Sequence, residues 1–306
     1  MLRLPDDLSR PALLALLLLL GSIWGLTFSL AKIGSQGGIP PFGYAVLVHL
    51  GVGSVLLGLA GMRRIRVPLD RTTLRYALIA GLISSGLPAV INFTAVGHLS
   101  AGLLAVIVTL APILTYAMAL ALRHERPIAR RAVGTVIGLA GTLLIVLPRS
   151  SLPAPELLPW AMFAMLSPLL YAAANIYVAR ARPAGADSVA LAGLTQTVAG
   201  LSMLAAAIML GQVFVPHAPL DAPQIAVLVH ALSGALAQLL FFEITRIAGA
   251  VVLSQVGYVV TLTGLLWGWA LFGERHSAWV WLATAVILGG VVLVTWPARK
   301  PAKPSG

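Results

Sequence analysis

"SAGLLAVIVTLAPILTYAMALALRHERPIARRAVGTVIGLAGTLLIVLP" occupies residues 100–148, and "GAVVLSQVGYVVTLTGLLWGWALFGERHSAWVWLATAVILGGVVLVTWP" occupies residues 249–297. Residue 100 laid on residue 249, with no gap, gives matches that go beyond greasiness. Ala101 meets Ala250, Leu104 meets Leu253, and Ala121-Leu122 meets Ala270-Leu271. Glu125-Arg126 then meets Glu274-Arg275, Thr135 meets Thr284, Gly141 meets Gly290, and Pro148 meets Pro297. Convergent hydrophobicity explains repeated leucines. It does not place Glu-Arg, Gly and Pro at one constant offset, so the second half of the chain repeats the first.

The surroundings of both copies are equally apolar. Of 306 residues 59% are hydrophobic and 9% charged, and the mean hydropathy is +0.97. An ordinary soluble domain has about 25% charged residues, so this chain cannot cover itself in water and reads as an integral membrane protein. The formal charge of +11 raises nucleic acid as a partner, but that requires a basic water-facing surface. Here the basic residues fill short gaps between apolar runs, as cytoplasmic loops of membrane proteins do, and nucleic acid binding is excluded. There is no cysteine, which removes disulfides, thiolate catalysis and Cys-based zinc sites. The first apolar run continues past Leu20 through Trp24 and Phe28 to about Lys32. That is too long for a signal h-region, and it is kept as a membrane helix.

A membrane helix needs roughly 20 mostly apolar residues. Ten such spans are expected: 11–33, 42–61, 74–96, 100–121, 131–147, 157–179, 188–210, 223–246, 249–272 and 278–296. The connections near Gly97 and Ala248 are very short. With a cytoplasmic N-terminus, seventeen Lys and Arg fall on the inner side, Arg149 and Arg275 fall outside, and Lys32 lies within the first span near its outer end. This asymmetry supports an even span count with both termini cytoplasmic.

The repeat offset covers five spans, an odd number, so the two halves run in opposite directions through the bilayer. The expected fold class is an all-α integral membrane protein of two inverted five-helix repeats around a central cavity. The divisions are an N-terminal repeat at 1–148, a Pro-rich connection at 149–157, a C-terminal repeat at 158–297 and a basic cytoplasmic tail at 298–306. Inverted repeats suit alternating access, because exchanging the conformations of the halves exchanges the open face.

Residues 92–148 resemble the first repeat of the drug/metabolite transporter superfamily, EamA type. The features are an aromatic before a short turn, small residues opening span four, mid-span Pro112, terminal Glu125 and small residues in span five. Residues 244–294 resemble the second repeat, and "SIWGLTFSLAK" (22–32) resembles the family's first span, with Trp24, Gly25, Phe28 and Lys32 in place. Two positions depart: Thr261 stands where the second repeat usually has a mid-span proline, and His49 where span two often has arginine. The bacterial exporters of aromatic amino acids are similar in overall layout. The resemblance implies a multi-pass protein of the bacterial inner membrane, with spans one, three, four, six, eight and nine around the cavity.

Transport needs a polar path, and polar groups at membrane depth are costly and often functional. Under the resemblance, the expected substrate lining is Trp24, Asn92, Tyr116, Tyr171, Asn175, His230 and Tyr258. Each aromatic has an equal claim to ordinary packing or interface anchoring. His230 either binds substrate or a proton, its unperturbed pKa being about 6.5, or is a neutral histidine bonded to a neighbouring helix. His49 has the weaker claim. Lys32 at the outer mouth either attracts a carboxylate or snorkels to the headgroups. Glu125 and Glu274, at helix ends, are expected to pair at closure points, so His230, Lys32, Glu125 and Glu274 form the proton or gating set. The glycines of "GTVIGLAG" (134–141) and "LGG" (288–290) permit close helix approach, read first as packing within a half and second as a dimer contact.

The leading expectation is a secondary transporter exporting small amphipathic metabolites, foremost amino acids with aromatic or other bulky apolar side chains. The alternative within the same fold is a proton-coupled exporter of multiple drugs or cationic compounds. The chain contains no Walker A pattern, and an intramembrane enzyme is disfavoured because H-E-x-x-H, G-x-S-x-G and paired intramembrane Asp are all missing. The expectation is therefore not an enzyme, with no cofactor and no metal. The expected partners are a small-molecule substrate and the lipid bilayer, with the chain acting as a monomer.

Overall fold

The computed structural model describes residues 10–123, 128–146, 155–253 and 256–295. Among them every regular element is helical. Ten passes emerge: α1 (Arg10–Gln36), α2 (Pro41–Met62), α3 with α4 (Arg71–Gly81, Leu87–Ala95), α5 with α6 (Ala101–Val108, Ala111–Ala121), and α7 (Ala129–Val146) make up the first half. The second half holds α8 with α9 (Leu158–Ala164, Leu166–Ala181), α10 (Ser188–Met209), α11 (Ala222–Leu253), α12 (Val256–Phe272) and α13 (Ala278–Thr295). Seven of these passes are long and apolar enough to cross a membrane by length and composition. Leucines such as Leu14, Leu139, Leu201 and Leu266 point outward, as a lipid-facing surface requires.

Three passes are broken, each beside a proline. Pro88 has no N–H for the Ser84 carbonyl four residues back, and the chain widens there into a π turn at Leu82–Gly86, with the Leu87 amide reaching back to the Leu82 carbonyl. Pro112 likewise divides α5 from α6, where the Thr109 and Leu110 amides tighten onto the Val106 and Ile107 carbonyls at 3.1 Å each. Pro168 divides α8 from α9, where the Met165 amide is shared between the Ala161 and Met162 carbonyls at 3.2 Å. Spans three, four and six are the broken ones. Their repeat mates, spans eight, nine and one, are the unbroken α11, α12 and α1.

Packing follows the repeat. Three contacts join mates directly: α2 on α10, α5 on α12 and α7 on α13. Other large contacts mirror one another, with α1 on α11 and α12 answered by α9 on α4 and α6. Along the α5–α12 seam, Gly102 faces Gly268, Ala105 faces Gly264, and Thr109 bonds Thr261. One number rises as the other falls, so these mates run antiparallel and the repeat is inverted.

Two sequence expectations change here. The short turn expected near Ala248 is absent, because α11 runs on helically to Leu253. Nothing in 245–249 breaks a helix as a proline would, and one glycine does not suffice. The glycines of spans five and ten pack between the halves rather than within one. A Cβ on Gly290 would lie 2.6 Å from both the Gly134 oxygen and the Gly138 nitrogen, and one on Gly141 would lie 2.8 Å from Ile287 Cγ1. Trp279 donates its indole N–H to the Leu144 carbonyl at 2.7 Å and ties the same seam.

Candidate functional site

Close approach of α2 and α11 assembles the main polar cluster. A Cβ on Gly51 would meet the Ala231 methyl at 2.7 Å, and one on Gly234 would meet Val52 at 3.1 Å. With those two glycines in the seam, Tyr44 on α2 comes within reach of His230 on α11. The Tyr44 hydroxyl lies 3.2 Å from His230 Nδ1. Both the Tyr44 and Phe93 rings stand 5.8 Å from the imidazole, and the two rings are 4.3 Å apart edge to face. His230 is therefore buried in an aromatic box with one hydroxyl partner.

A second chain of bonds runs through spans two, seven and three. Gln196 Oε1 lies 2.7 Å from His49 Nδ1. An amide oxygen only accepts, so the network assigns the proton to His49 Nδ1. Gln196 Nε2 donates to Ser85 Oγ at 3.2 Å, and Ser84 and Ser85 hydroxyls are 3.3 Å apart. His49, Ser85 and Gln196 are all buried. A third group joins spans three and six: Ser167 Oγ donates to Asn92 Oδ1 at 2.7 Å, and Asn92 Nδ2 reaches the Tyr171 hydroxyl at 3.5 Å.

The remaining expected lining residues divide. Trp24 on α1 stacks obliquely on Phe241 at 5.8 Å. Asn175 is exposed and donates to Thr115 Oγ1 at 3.1 Å across spans six and four. The Tyr116 hydroxyl is committed to the backbone of Ile128, accepting from its amide at 3.0 Å and donating to its carbonyl at 3.3 Å, with Arg131 over the ring. Tyr258 lies on α12, with its side chain outside the described part of the structure, and Glu125 lies outside the described residues. Sequence reasoning passed over Tyr44, Gln196 and Ser167. Gln196 carried the usable signal, an amide in mid-span; Tyr44 and Ser167 look like ordinary helix residues until their partners arrive.

On the face away from the basic loops lies a separate ionic cluster. Glu274 Oε1 accepts from Lys32 Nζ at 2.6 Å and from the Ala101 amide at 3.0 Å, and Oε2 accepts from the Gly102 amide at 3.2 Å. The two amides are orphan donors at the N-terminus of α5, where the helix dipole favours a negative charge. Ser100 Oγ takes the next one, from Leu103. Lys32 also lies over the Phe272 ring, 4.5 Å from its centre. The Lys32 and Glu274 side chains are only 16% and 8% exposed, so neither snorkels. The cluster joins α1, the loop before α13 and the start of α5. Nearby, His98 stacks on Trp160 with ring centres 3.6 Å apart and packs the α4–α5 turn against α8. Glu274 and Lys32, named separately from the sequence, are thus one pair. Among the described residues no group of three or more His, Asp or Glu converges as a metal site would require.

The chain matches the EamA-like transporter family over residues 12–147 and again over 158–296. It is 28% identical over 286 residues to proteins named "Uncharacterized inner membrane transporter YedA" from Escherichia coli K12 and from Escherichia coli O6:H1, covering 92% of this chain and 90% of those. A solved structure titled "Crystal structure of protein" shares the fold, with a TM-score of 0.65 and 21% identity over 96% of this chain and 100% of that one.

Proposed function

The chain belongs to the EamA-like transporter family, and from that premise we propose that it exports small amphipathic metabolites across a bacterial inner membrane by alternating access, amino acids with aromatic or bulky apolar side chains foremost. The carrying observation is the inverted repeat itself: α5 lies antiparallel on its mate α12, with Gly102 facing Gly268, Ala105 facing Gly264 and Thr109 bonded to Thr261. Two halves inverted in this way can exchange conformations, and that exchange exchanges the open face. The Lys32–Glu274 cluster supports closure of the face it occupies.

Cargo chemistry is read from the polar groups. His230, Tyr44, His49, Gln196 and Asn92 supply imidazole, hydroxyl and amide contacts amid Phe93, Trp24 and aliphatic side chains. That mixture suits a molecule with one polar end and one apolar end. Tagging is expected to place both termini on the cytoplasmic side, as the distribution of arginines requires.

The test is purified protein in liposomes, offered labelled phenylalanine, tryptophan and leucine beside a panel of cationic drugs. The expected result is equilibration of the aromatic amino acids without an imposed gradient, slowed at least tenfold by His230→Ala. Flux confined to cationic compounds under a pH gradient would replace this reading with the proton-coupled alternative.

A further inference from the structure

We propose that Lys32 and the Ala101 and Gly102 amides form a carboxylate-binding site which Glu274 fills as an internal stand-in, and which the carboxylate of an amino-acid substrate takes over when this face opens. The substrate half of the proposal rests on the amino-acid reading above; the site itself does not.

The geometry is that of a ligand site. Three donors converge on one carboxylate: an ammonium and two adjacent amides, at 2.6, 3.0 and 3.2 Å. A fourth group faces it unused. His276 Nε2 lies 3.7 Å from Glu274 Oε2, too far for a hydrogen bond, and this nitrogen is buried with no hydrogen-bond partner, its side chain 8% exposed. Space for the carboxylate is kept by glycines on both sides. A Cβ on Gly268 would overlap Glu274 Oε2, and one on Gly102 would lie 2.6 Å from His276 Nε2.

The carboxylate is also exchangeable. It arrives on a loop side chain, between the end of α12 and the start of α13, whereas Lys32 and the amides belong to α1 and α5. Intramolecular attachment gives Glu274 an effective concentration in the millimolar range or above. A simple anion at lower concentration cannot displace it. A substrate whose apolar part adds binding of its own can. Displacement unties the loop from α1 and α5, so arrival of cargo and release of this face become one event.

The decisive experiment is chemical rescue. Glu274→Ala is purified as the full chain in detergent, and its thermal unfolding is followed by tryptophan fluorescence at pH 7.5 under acetate, propionate or phenylpropionate, each against chloride at matched ionic strength. The expected result is that carboxylates at tens of millimolar recover at least half of the lost Tm while chloride recovers none. Wild type is expected not to respond to acetate, and the rescue is expected to vanish in Lys32→Met/Glu274→Ala. If Glu274→Ala does not fold, Glu274→Gln serves, because a neutral amide yields the site more readily than a carboxylate and acetate then stabilises the variant selectively. Phenylalanine is expected to stabilise the variant and phenethylamine, which lacks the carboxylate, is not. Carboxylates no better than chloride, or rescue persisting without Lys32, overturns the site. Equal effects of phenylalanine and phenethylamine overturn its use by substrate. Because the readout is unfolding, the site can fail while liposome flux succeeds, and the reverse.

Discussion

Adjacent glycines in α13 are expected to respond oppositely to the same methyl group. Gly290 faces α7, and the nearest neighbours of a methyl added there would all be backbone: the Gly134 oxygen and Gly138 nitrogen at 2.6 Å and the Gly138 Cα at 2.8 Å. No flexible side-chain end can turn away, so the helices must separate by close to 1 Å. Overpacking of this kind costs about 1–3 kcal/mol, and a backbone-only wall belongs at the upper end. Replacing a helical glycine by alanine returns about 1 kcal/mol of propensity, leaving Gly290→Ala destabilised by about 2 kcal/mol. Gly289 is exposed and has open space around its Cβ position, so Gly289→Ala keeps the whole gain of about 1 kcal/mol. The expected gap between neighbours is therefore about 3 kcal/mol, or roughly 6 °C in Tm at about 2 °C per kcal/mol. Unfolding of the two variants in one detergent, with one probe, measures it. Equal Tm values, or the reverse order, would refute the α7–α13 seam as the fixed joint between halves.

Other outcomes follow from the same geometry. Gln196→Leu leaves the His49 donor and Ser85 without their buried partner and is expected to cost about 1–3 kcal/mol, read by chemical denaturation, with a parallel fall in liposome flux. Tyr44→Phe removes the one hydroxyl beside His230 while keeping the ring against Phe93, so flux should fall with Tm nearly unchanged. A Tm loss as large as that of Tyr44→Ala would assign the hydroxyl to folding instead. In the loop after α12, burial holds the His276 imidazole below its usual range near 6.5, against the pull of Glu274 and with Lys32 adding to the depression. A lowered histidine pKa means the native state prefers the neutral ring. The contribution is whole above about 6.5 and is lost as pH falls below it. Wild type should therefore lose more Tm between pH 7.5 and 5.5 than His276→Asn does; parallel losses would remove His276 from the account.

Span number and the inverted repeat were legible in the chain itself. Apolar length and the arginine gaps count helices, and the matched Glu-Arg, Gly and Pro align the halves, because both signals are local and survive without neighbours. Pro88, Pro112 and Pro168 likewise mark their own breaks, since a missing N–H acts within one turn. Partner choice was not legible. In lipid a helix is apolar on every side, so periodicity does not say which face meets which helix. Close approach at a few small residues decides it: Gly51 on Ala231, Gly290 on Gly138, Gly268 beside Gly102. Only those contacts turn Glu274 into the partner of Lys32, 242 residues away, and bring Tyr44 to His230 and Gln196 to His49. Lys32, Glu274, His49 and His230 were named by the sequence as costs to be met and Tyr44 and Gln196 were not, but only the tertiary structure could supply what meets them, because a hydrogen bond is a relation between two helices and is written in neither.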